Sequence, residues 1–342
     1  MKKLFTLIIL SLIILSCEKE KMPLPSTPFN SESGGVFISN EGNFQSGNGT
    51  LVYYNPSTEA VISNVYENTN HNSLGDICQS MNLINGKLFV VVNNSGKIEV
   101  CNPNSLQHLS TITGLTSPRY IIQAGTSKAY VSDTYSNTVS VINLDNNTVT
   151  STIPIPGWTE QMLKINNKIY VTDVYSDYLY VIDPTNDIVS DSIHISKGAG
   201  WIVGDKNGKI WVLCGGDYLQ TYNGALFRID PSTNQIELSI SFPANDFPSR
   251  LCINGTGDML YYLNNGIFRM GLNDTSFPPS AFIPSVSNSF YGLGVNPVNN
   301  EIFVSDAIDY IQRGKVIRYD GNGMQLSKIT AGIIPGDFLF LP

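Results

Sequence analysis

The feature that most constrains the fold is a repeat of a short strand pattern along the whole chain. Each copy has a turn, then an apolar strand with an aromatic residue near its start, then a polar loop and an alternating strand. Successive copies lie between 40 and 52 residues apart. A period near 40 to 45 residues built from short strands is typical of β-propellers, whereas an α-solenoid would need helical apolar spacing. The anchor aromatics are Phe37, Phe89, Tyr130, Tyr170, Trp211, Tyr261 and Phe303.

The third copy shows how one repeat divides into four strands. Segments beginning at Ser117, Lys128, Thr138 and Thr148 predict strands A to D, counted from the central channel outward. Apolar and polar residues alternate in the third and fourth of them, as expected for half-buried strands. Asn-Pro and Asp-Pro turns, such as Asp183-Pro184, separate strands C and D in other copies.

The two ends of the repeat region predict how the ring closes. The first copy has no inner strand before Val36, and the last copy is followed by an inner-strand pattern, GIIPGDFLFLP at 332–342. We therefore predict an all-β, seven-bladed β-propeller closed by the C-terminal strand joining the first blade. Closure protects the strand edges that an open sheet would expose.

The first residues predict export and lipidation. Lys2 and Lys3 precede a short apolar run that is typical of a signal peptide. The run ends in ILSC at 14–17, which resembles a bacterial lipobox, and this resemblance implies a lipidated Cys17. We predict a lipoprotein signal peptide at 1–16, a flexible polar tether at 17–33 and the propeller at 34–342. The protein would then be an outer-membrane lipid-anchored protein, held at the cell surface by its acyl chains.

Charge and cysteine content exclude several classes of partner. The formal net charge is −8, and no basic stripe is present, so nucleic-acid binding is excluded. Apart from Cys17, the cysteines lie in apolar strand patterns without CxxC spacing, which favours buried free thiols over a zinc site or disulfides. These are Cys78, Cys101, Cys214 and Cys252.

The loops between strands D and A and between strands B and C emerge on one face of a propeller, around the mouth of the central channel. In this sequence those loops combine aromatic residues with amides and charged groups, a composition suited to a large, partly apolar ligand. We expect about half of the aromatics, Trp201 and Tyr291 in particular, to cap inner strands instead. The predicted ligand-binding residues are Glu41, Asn43, Phe44, Gln79, Asn93, Asn94, Arg119, Tyr135, Trp158, Glu160, Gln161, Tyr175, Tyr178, Trp201, Tyr218, Phe247, Arg250, Tyr291, Asp309 and Tyr310.

Motifs for catalysis are missing from the sequence. The three histidines share no metal-binding spacing, and no GxSxG, P-loop or HExxH sequence occurs. Asp133, Asp173 and Asp306 recur at the ends of B strands, where they could bind Ca²⁺, act as acid and base, or accept hydrogen bonds from loop amides; we favour the last. We therefore predict that the protein is not an enzyme and has no catalytic residue, no metal site and no cofactor. A propeller lactonase or lyase is the minority alternative.

Several short sequences resemble one family of propellers. They are NEGNF at 40–44, QSM at 79–81, VNNS at 92–95, SPRY at 117–120, TEQM at 159–162, DAIDY at 306–310 and GIIPG at 332–336. These sequences resemble the YncE-like or surface-layer β-propeller lipoproteins, which include the BtuG-type corrinoid-binding surface lipoproteins. The resemblance implies a protein that captures a corrinoid such as cobalamin and passes it to a TonB-dependent outer-membrane transporter. A surface glycan or a protein partner, with an interaction or structural role, is the alternative that the loop composition leaves open.

Overall fold

The fold was obtained as a computed structural model, which describes residues 28–217, 219 and 221–342. Within these residues the strands form seven four-stranded antiparallel sheets, so the predicted seven-bladed β-propeller is confirmed. One short α-helix, α1 (Val65–Asn70), follows the outer strand of the first blade. We number the blades 1 to 7 by the order of their B strands.

The strands of each blade follow in order along the chain, except for the inner strand of blade 1. Blade 1 contains β1 (Val36–Asn40), β2 (Thr50–Asn55), β3 (Ala60–Ile62) and β28 (Pro335–Phe340). Blade 2 contains β4 (Cys78–Ile84), β5 (Lys87–Val92), β6 (Lys97–Cys101) and β7 (His108–Ile112); blade 3 contains β8 (Pro118–Gly125), β9 (Lys128–Asp133), β10 (Thr138–Asn143) and β11 (Thr148–Pro154). Blade 4 contains β12 (Thr159–Ile165), β13 (Lys168–Asp173), β14 (Tyr178–Asp183) and β15 (Ile188–His194); blade 5 contains β16 (Ala199–Gly204), β17 (Ile210–Cys214), β18 (Ala225–Asp230) and β19 (Gln235–Ser241). Blade 6 contains β20 (Ser249–Ile253), β21 (Met259–Leu263), β22 (Gly266–Gly271) and β23 (Ile283–Pro284); blade 7 contains β24 (Phe290–Val295), β25 (Ile302–Asp306), β26 (Arg313–Tyr319) and β27 (Gln325–Ile333).

The hydrophobic core lies between neighbouring blades. Each apolar cluster joins side chains of two adjacent sheets; one, for example, packs Phe37 and Leu51 of blade 1 against Leu88 and Val90 of blade 2. The B strands are covered on both faces, so they are continuous apolar runs rather than alternating ones. All seven anchor aromatics are buried in these clusters, with exposed fractions of 4% or less.

Closure of the ring follows the prediction. Strand β28 pairs antiparallel with β1, with Val36 opposite Phe340 and Ile38 opposite Phe338. Phe338 packs against Phe303 of blade 7 at a centroid distance of 6.0 Å. The C-terminal strand therefore completes blade 1 and seals it against blade 7.

Part of the segment predicted as a tether lies against the propeller. Phe29 packs edge-on against Tyr53 at 5.1 Å, and the Ser31 amide donates to the Asn104 carbonyl at 2.7 Å. An aromatic ring at this point gives the segment apolar area to bury, which its polar neighbours lack. Cys17 and the signal peptide lie outside the described residues. Among the residues that are described, no helix is long and apolar enough to cross a membrane.

The four cysteines of the propeller are free thiols. Cys78, Cys101 and Cys214 are buried, and Cys252 is half-buried. Burial raises the pKa of the Cys101 thiol to about 12, so this sulfur stays protonated and unreactive. The preference for buried thiols over disulfides is confirmed.

Candidate functional site

A β-bulge interrupts the pairing of strand A with strand B in every blade, close to the mouth of the channel. In every blade the second residue of the inner strand has no paired residue on strand B. Bulges turn side chains out of the regular pleat and are common beside functional sites. We call these seven residues the bulge ring: Gln79, Arg119, Glu160, Gly200, Arg250, Tyr291 and Gly336.

One half of the bulge ring is a closed network of paired charges. The Arg119 Nε atom lies 2.9 and 3.1 Å from the two carboxylate oxygens of Glu160. Arg119 also donates from Nη1 to the side-chain oxygen of Gln79. The indole nitrogen of Trp158 donates to Glu160 at 2.6 Å. Both oxygens of this carboxylate therefore have partners inside the protein.

The other half of the ring is held together less tightly. Glu41 reaches over Gly336 from the β1–β2 loop and accepts a hydrogen bond from the Tyr291 hydroxyl at 2.8 Å. Arg250 stacks on the Tyr291 ring at 4.7 Å and donates from Nε to the Tyr291 carbonyl at 2.9 Å. The nearest carboxylate oxygen to its Nη2 atom is 3.9 Å away, on Glu41. This distance is too long for a hydrogen bond.

Two further ionisable groups lie close to the ring in the channel. Burial raises the pKa of Asp337 to about 6, although the Met81 amide donates to its carboxylate at 3.2 Å. Burial also raises the pKa of Glu41 and of the Tyr120 hydroxyl. The channel therefore holds acids that take up protons more readily than ordinary surface carboxylates.

An aromatic cluster stands beside the paired half of the ring. The Trp158 ring lies 5.7 Å from Tyr135 and 5.3 Å from Tyr175, in tilted and edge-on arrangements. Tyr135 and Tyr175 are 67% and 65% exposed, although such rings are usually covered. The cluster thus offers flat apolar faces to a ligand above blades 3 and 4.

The recurring aspartates at the ends of the B strands hold the loops in place. The Asp173 carboxylate accepts backbone hydrogen bonds from Trp158, Tyr175 and Ser176, at 3.1, 2.8 and 3.0 Å. It therefore ties the D–A loop of blade 4 to the B–C loop of the same blade. Asp133 and Asp306 do the same in blades 3 and 7, through the amides of Thr116, Ser117, Tyr135 and Ser136, and of Ser289 and Ile308. The predicted role for these three carboxylates, accepting loop amides, is confirmed. In the part of the chain that is described, no group of three or more His, Cys, Asp or Glu side chains could hold a metal ion.

Blade 5 has glycine where blade 4 has large side chains. Gly198, Gly200, Gly215 and Gly216 occupy the positions of Trp158, Glu160, Val174 and Tyr175. The backbones match, since the Val174 amide donates to the Trp158 carbonyl at 3.0 Å and the Gly215 amide to the Gly198 carbonyl at 2.8 Å. We call these four glycines the glycine gap.

A cavity of about 230 Å³ lies at the glycine gap, between Arg119 and Arg250. It adjoins a recess of about 700 Å³ over blades 5 to 7, and Trp201, Gly215, Gly216 and Arg250 line both. Phe247 and Tyr310 complete the apolar wall of the recess. Trp201 also packs on the core between blades 5 and 6, so it both caps an inner strand and lines the site.

The remaining predicted residues that the structure describes line neither the cavity nor the recess. Asn43 donates to the Tyr310 carbonyl at 2.7 Å, which joins the loops of blades 1 and 7. Tyr178 packs on His194 in the outer strands. Gln161 lines a separate small cavity with Tyr120 and Met81. The others are Asn93, buried and donating to Ser117; Asn94, bonded to Asp76; Asp309, which caps the amides of Ile311 and Gln312; and Phe44, which is exposed. Tyr218 lies outside the described residues.

Sequence reasoning missed Tyr120, Asp337 and the glycine gap. Asp337 lies directly after Gly336 in a strand that was predicted, but the sequence alone does not show which residue of that strand faces the channel. The Gly215-Gly216 pair and the alternation of Gly198 with Gly200 were visible signals of close backbone approach.

Comparison with solved structures gives the same fold at low sequence identity. A quinonprotein alcohol dehydrogenase-like protein from Bacteroides thetaiotaomicron has a TM-score of 0.72 and 17% identity, over 90% of this chain and 78% of that one. The periplasmic gluconolactonase PpgL from Pseudomonas aeruginosa has a TM-score of 0.66 and 12% identity, over 90% and 99%. A protein from Lactobacillus plantarum has a TM-score of 0.69 and 14% identity, over 91% and 100%. None of the curated proteins matches the sequence.

These neighbours correct one prediction. The sequence was predicted not to be an enzyme because it lacks histidine-based and nucleophile motifs. That prediction is wrong, because propellers named as a lactonase and as an alcohol dehydrogenase-like protein share this architecture. Missing motifs of other folds exclude nothing here, since a propeller can assemble a site from single residues of separate blades. At these identities the likeness itself concerns the fold alone.

A family model matches almost the whole propeller. The match covers residues 34–333, from the turn before β1 to the end of β27. It therefore includes six of the seven bulge-ring residues and the complete glycine gap. The chain belongs to the family described as DUF5074, a domain of unknown function.

Proposed function

We propose that this protein captures a corrinoid such as cobalamin at the mouth formed by the bulge ring and the aromatic cluster. The supporting observation is that one face combines exposed aromatic rings above blades 3 and 4 with a recess of about 700 Å³ over blades 5 to 7. Pockets of about 300 to 1,000 Å³ are typical of small-molecule sites. A corrinoid has apolar edges and peripheral amides, so it would need both kinds of contact.

The aromatic cluster would provide the apolar contacts to the corrinoid, and polar side chains of the mouth would provide the hydrogen bonds. Tyr135 and Tyr175 would contact the apolar edges of the macrocycle because they are exposed, and the half-buried Trp158 ring packs against both of them. Gln79 and Glu41 have amide and carboxylate groups at the mouth that suit peripheral amides. Rigid aromatic anchors surrounded by polar groups are typical of binding hot spots.

The proposed place in the cell follows from the N-terminal sequence. A lipidated Cys17 would hold the propeller at the outer membrane, on a surface from which it could pass the corrinoid to a TonB-dependent transporter. Cys17→Ala should release the protein from washed outer membranes into the soluble fraction. A variant that stays with the membrane in high salt would contradict the lipid anchor.

The test of binding is a calorimetric titration of the mature protein with cyanocobalamin. We expect saturable binding that the double substitution Trp158→Ala with Tyr175→Ala weakens at least a hundredfold, or about 3 kcal/mol. Asn186→Ala is the matched control, because Asn186 lies in the C–D turn of blade 4 on the opposite face and should not change the affinity. A folded protein with no affinity for cyanocobalamin at high micromolar concentration would end the corrinoid proposal.

A glycan or a protein partner is a second candidate for the same face. The observation that favours it is the run of exposed apolar side chains on the B–C loops around the mouth: Phe44, Tyr135, Tyr175, Leu219, Tyr310 and Ile311. Such rings and side chains suit sugar faces or a partner surface. Failure to bind cyanocobalamin, together with retention on a glycan array, would favour this candidate.

A further inference from the structure

The cavity at the glycine gap has a chemistry that the corrinoid proposal does not require. We propose that it is a separate site for an anionic group, a carboxylate or phosphate carried on a flat ring, with Arg250 as its counter-ion. Its position, shape and charge each support this assignment.

The position of the cavity is set by one missing side chain. Five of the seven bulge-ring residues have large side chains at the mouth, and Glu41 fills the space over Gly336. Only at Gly200 does the ring stay open, because a Cβ atom there would meet a single atom within 4 Å, the Gly198 carbonyl oxygen at 4.0 Å. Blade 5 therefore leaves room for a ligand group at the same level where the other blades place their own side chains.

Arg250 provides a buried positive charge with unused donors. Its side chain is only 16% exposed, and it lines both the cavity and the adjoining recess. Among the described residues its Nε has a hydrogen-bond acceptor, the Tyr291 carbonyl, but its Nη atoms have none. The nearest carboxylate, on Glu41, is within ion-pair distance but makes no hydrogen bond to the guanidinium, and an anion with hydrogen-bonding geometry would satisfy the Nη donors.

The acids near Arg250 do not already fill this role. Glu41 lies 3.9 Å away and is bonded to the Tyr291 hydroxyl. Glu160 has its oxygens occupied by Arg119 and Trp158, and Asp337 accepts from the Met81 amide. A ligand oxygen at about 2.8 Å from Arg250 would be its closest negative charge.

The walls of the site favour a flat body on the anion. Trp201 lines both the cavity and the recess, and Phe247 and Tyr310 also line the recess. The glycine backbone adds no side chains that would hinder a planar group lying against Trp201. A bare anion would use the charge of Arg250 but none of this apolar surface.

The test uses ligands that differ in charge but not in shape. Benzoate and phenyl phosphate should bind the full-length mature protein in low-salt calorimetric titrations, and benzamide, the uncharged match of benzoate, should bind at least tenfold more weakly. Inorganic phosphate should also bind more weakly than phenyl phosphate, because it lacks the ring. Equal affinities for benzoate and benzamide would overturn the proposal, and so would the absence of binding by both benzoate and phenyl phosphate.

Two substitutions locate the site. Gly200→Val should place its side chain in the gap and reduce benzoate affinity at least tenfold. Gly204→Ala in the same strand is the control, because its Cβ would make only ordinary contacts with Leu163 and Ile165. Arg250→Gln should remove the preference for benzoate over benzamide. If Arg250→Gln does not fold, Gly200→Val decides alone, and unchanged benzoate affinity in that variant would contradict the site. Cyanocobalamin binding is measured in the same variants, so that loss of the two ligands can be told apart.

Discussion

The backbones of blades 4 and 5 match at the mouth, but blade 4 has large side chains there and blade 5 has glycines. In blade 4 the loops present Trp158 and Tyr175, the ring residue is Glu160, and Asp173 ties the two loops together. In blade 5 the matching residues are Gly198, Gly216 and Gly200, and the aspartate is replaced by Cys214. The propeller backbone therefore determines where a site can lie. The side chains at a few equivalent positions determine whether the space at the mouth of a blade is occupied by the protein or accessible to a ligand.

The same contrast holds for charge. Arg119, beside blade 4, is matched by Glu160 with two short contacts. Arg250, on the other side of blade 5, has its nearest carboxylate at 3.9 Å, and the pKa values of the acids near it, Glu41 and Asp337, are raised by burial. The paired half of the ring is therefore joined by a hydrogen-bonded ion pair, whereas in the half that faces the gap the opposite charges attract one another over a longer distance.

The largest effect, a change in the free energy of unfolding, is expected from substitution of Asp337, one of the acids near Arg250. Burial favours its protonated form in the folded state and raises its pKa from 3.8 to about 6, so ionisation above that pH destabilises the fold. Asp337→Asn should therefore leave stability unchanged below about pH 4 and raise it by about 3 kcal/mol above about pH 6. Urea unfolding of both proteins at pH 4 and pH 8 measures the difference. A variant that is less stable at pH 8 would show that the carboxylate is compensated after all.

A smaller effect on stability is expected from the residues at the ends of the B strands of blades 4 and 5, and it should differ between the two blades. Asp173→Ala removes the acceptor of three backbone amides, and we expect it to lower the free energy of unfolding by about 2 kcal/mol. Cys214→Ala, at the equivalent position of blade 5, removes one buried sulfur atom and should cost about 1 kcal/mol. Equal losses in urea unfolding would mean that the aspartate does not stabilise the loops of blade 4 beyond simple packing.

The smallest effect, a change in benzoate affinity, is expected when the ion pair between Arg119 and Glu160 is removed. Glu160→Gln removes the charge that holds Arg119, which lines the same cavity as Arg250. Benzoate affinity should then rise about fivefold, or about 1 kcal/mol, because a second guanidinium becomes free to face the cavity. Arg119→Gln in the same background should cancel the gain. A fall in benzoate affinity in the single variant would place the anion away from Arg119.

Repetition explains how much of the fold could be predicted. Each aromatic anchor marks a B strand that must be buried on both faces, so the number of blades and the closing strand followed from the sequence. The roles of Asp133, Asp173 and Asp306 followed as well, because a carboxylate at a strand end usually accepts the amides of the adjoining loops.

The site was predicted less completely. Six residues of the mouth were predicted to bind a ligand because they lie at loop ends: Glu41, Gln79, Arg119, Glu160, Arg250 and Tyr291. Their division into two halves with different pairing depends on contacts between distant blades, which the sequence does not show. The bulges that turn them inward leave no mark in the sequence. Tyr178 was assigned to the mouth because it neighbours Tyr175, although the two-residue period of the strand turns it toward His194. The glycine gap was not predicted, because the pairing of β16 with β17 decides which glycines of blade 5 come together at the mouth.

The joint between β28 and β1 carries a mechanical consequence. Glu41 directly follows the first strand of the propeller, whereas Arg250 and Tyr291 belong to blades 6 and 7, near the other end of the chain. A ligand that contacts Glu41 and Arg250 together would bridge this joint, so its binding free energy would add to the work needed to pull the ring open. Force applied between the two ends of the propeller should therefore meet more resistance in the loaded protein than in the empty one.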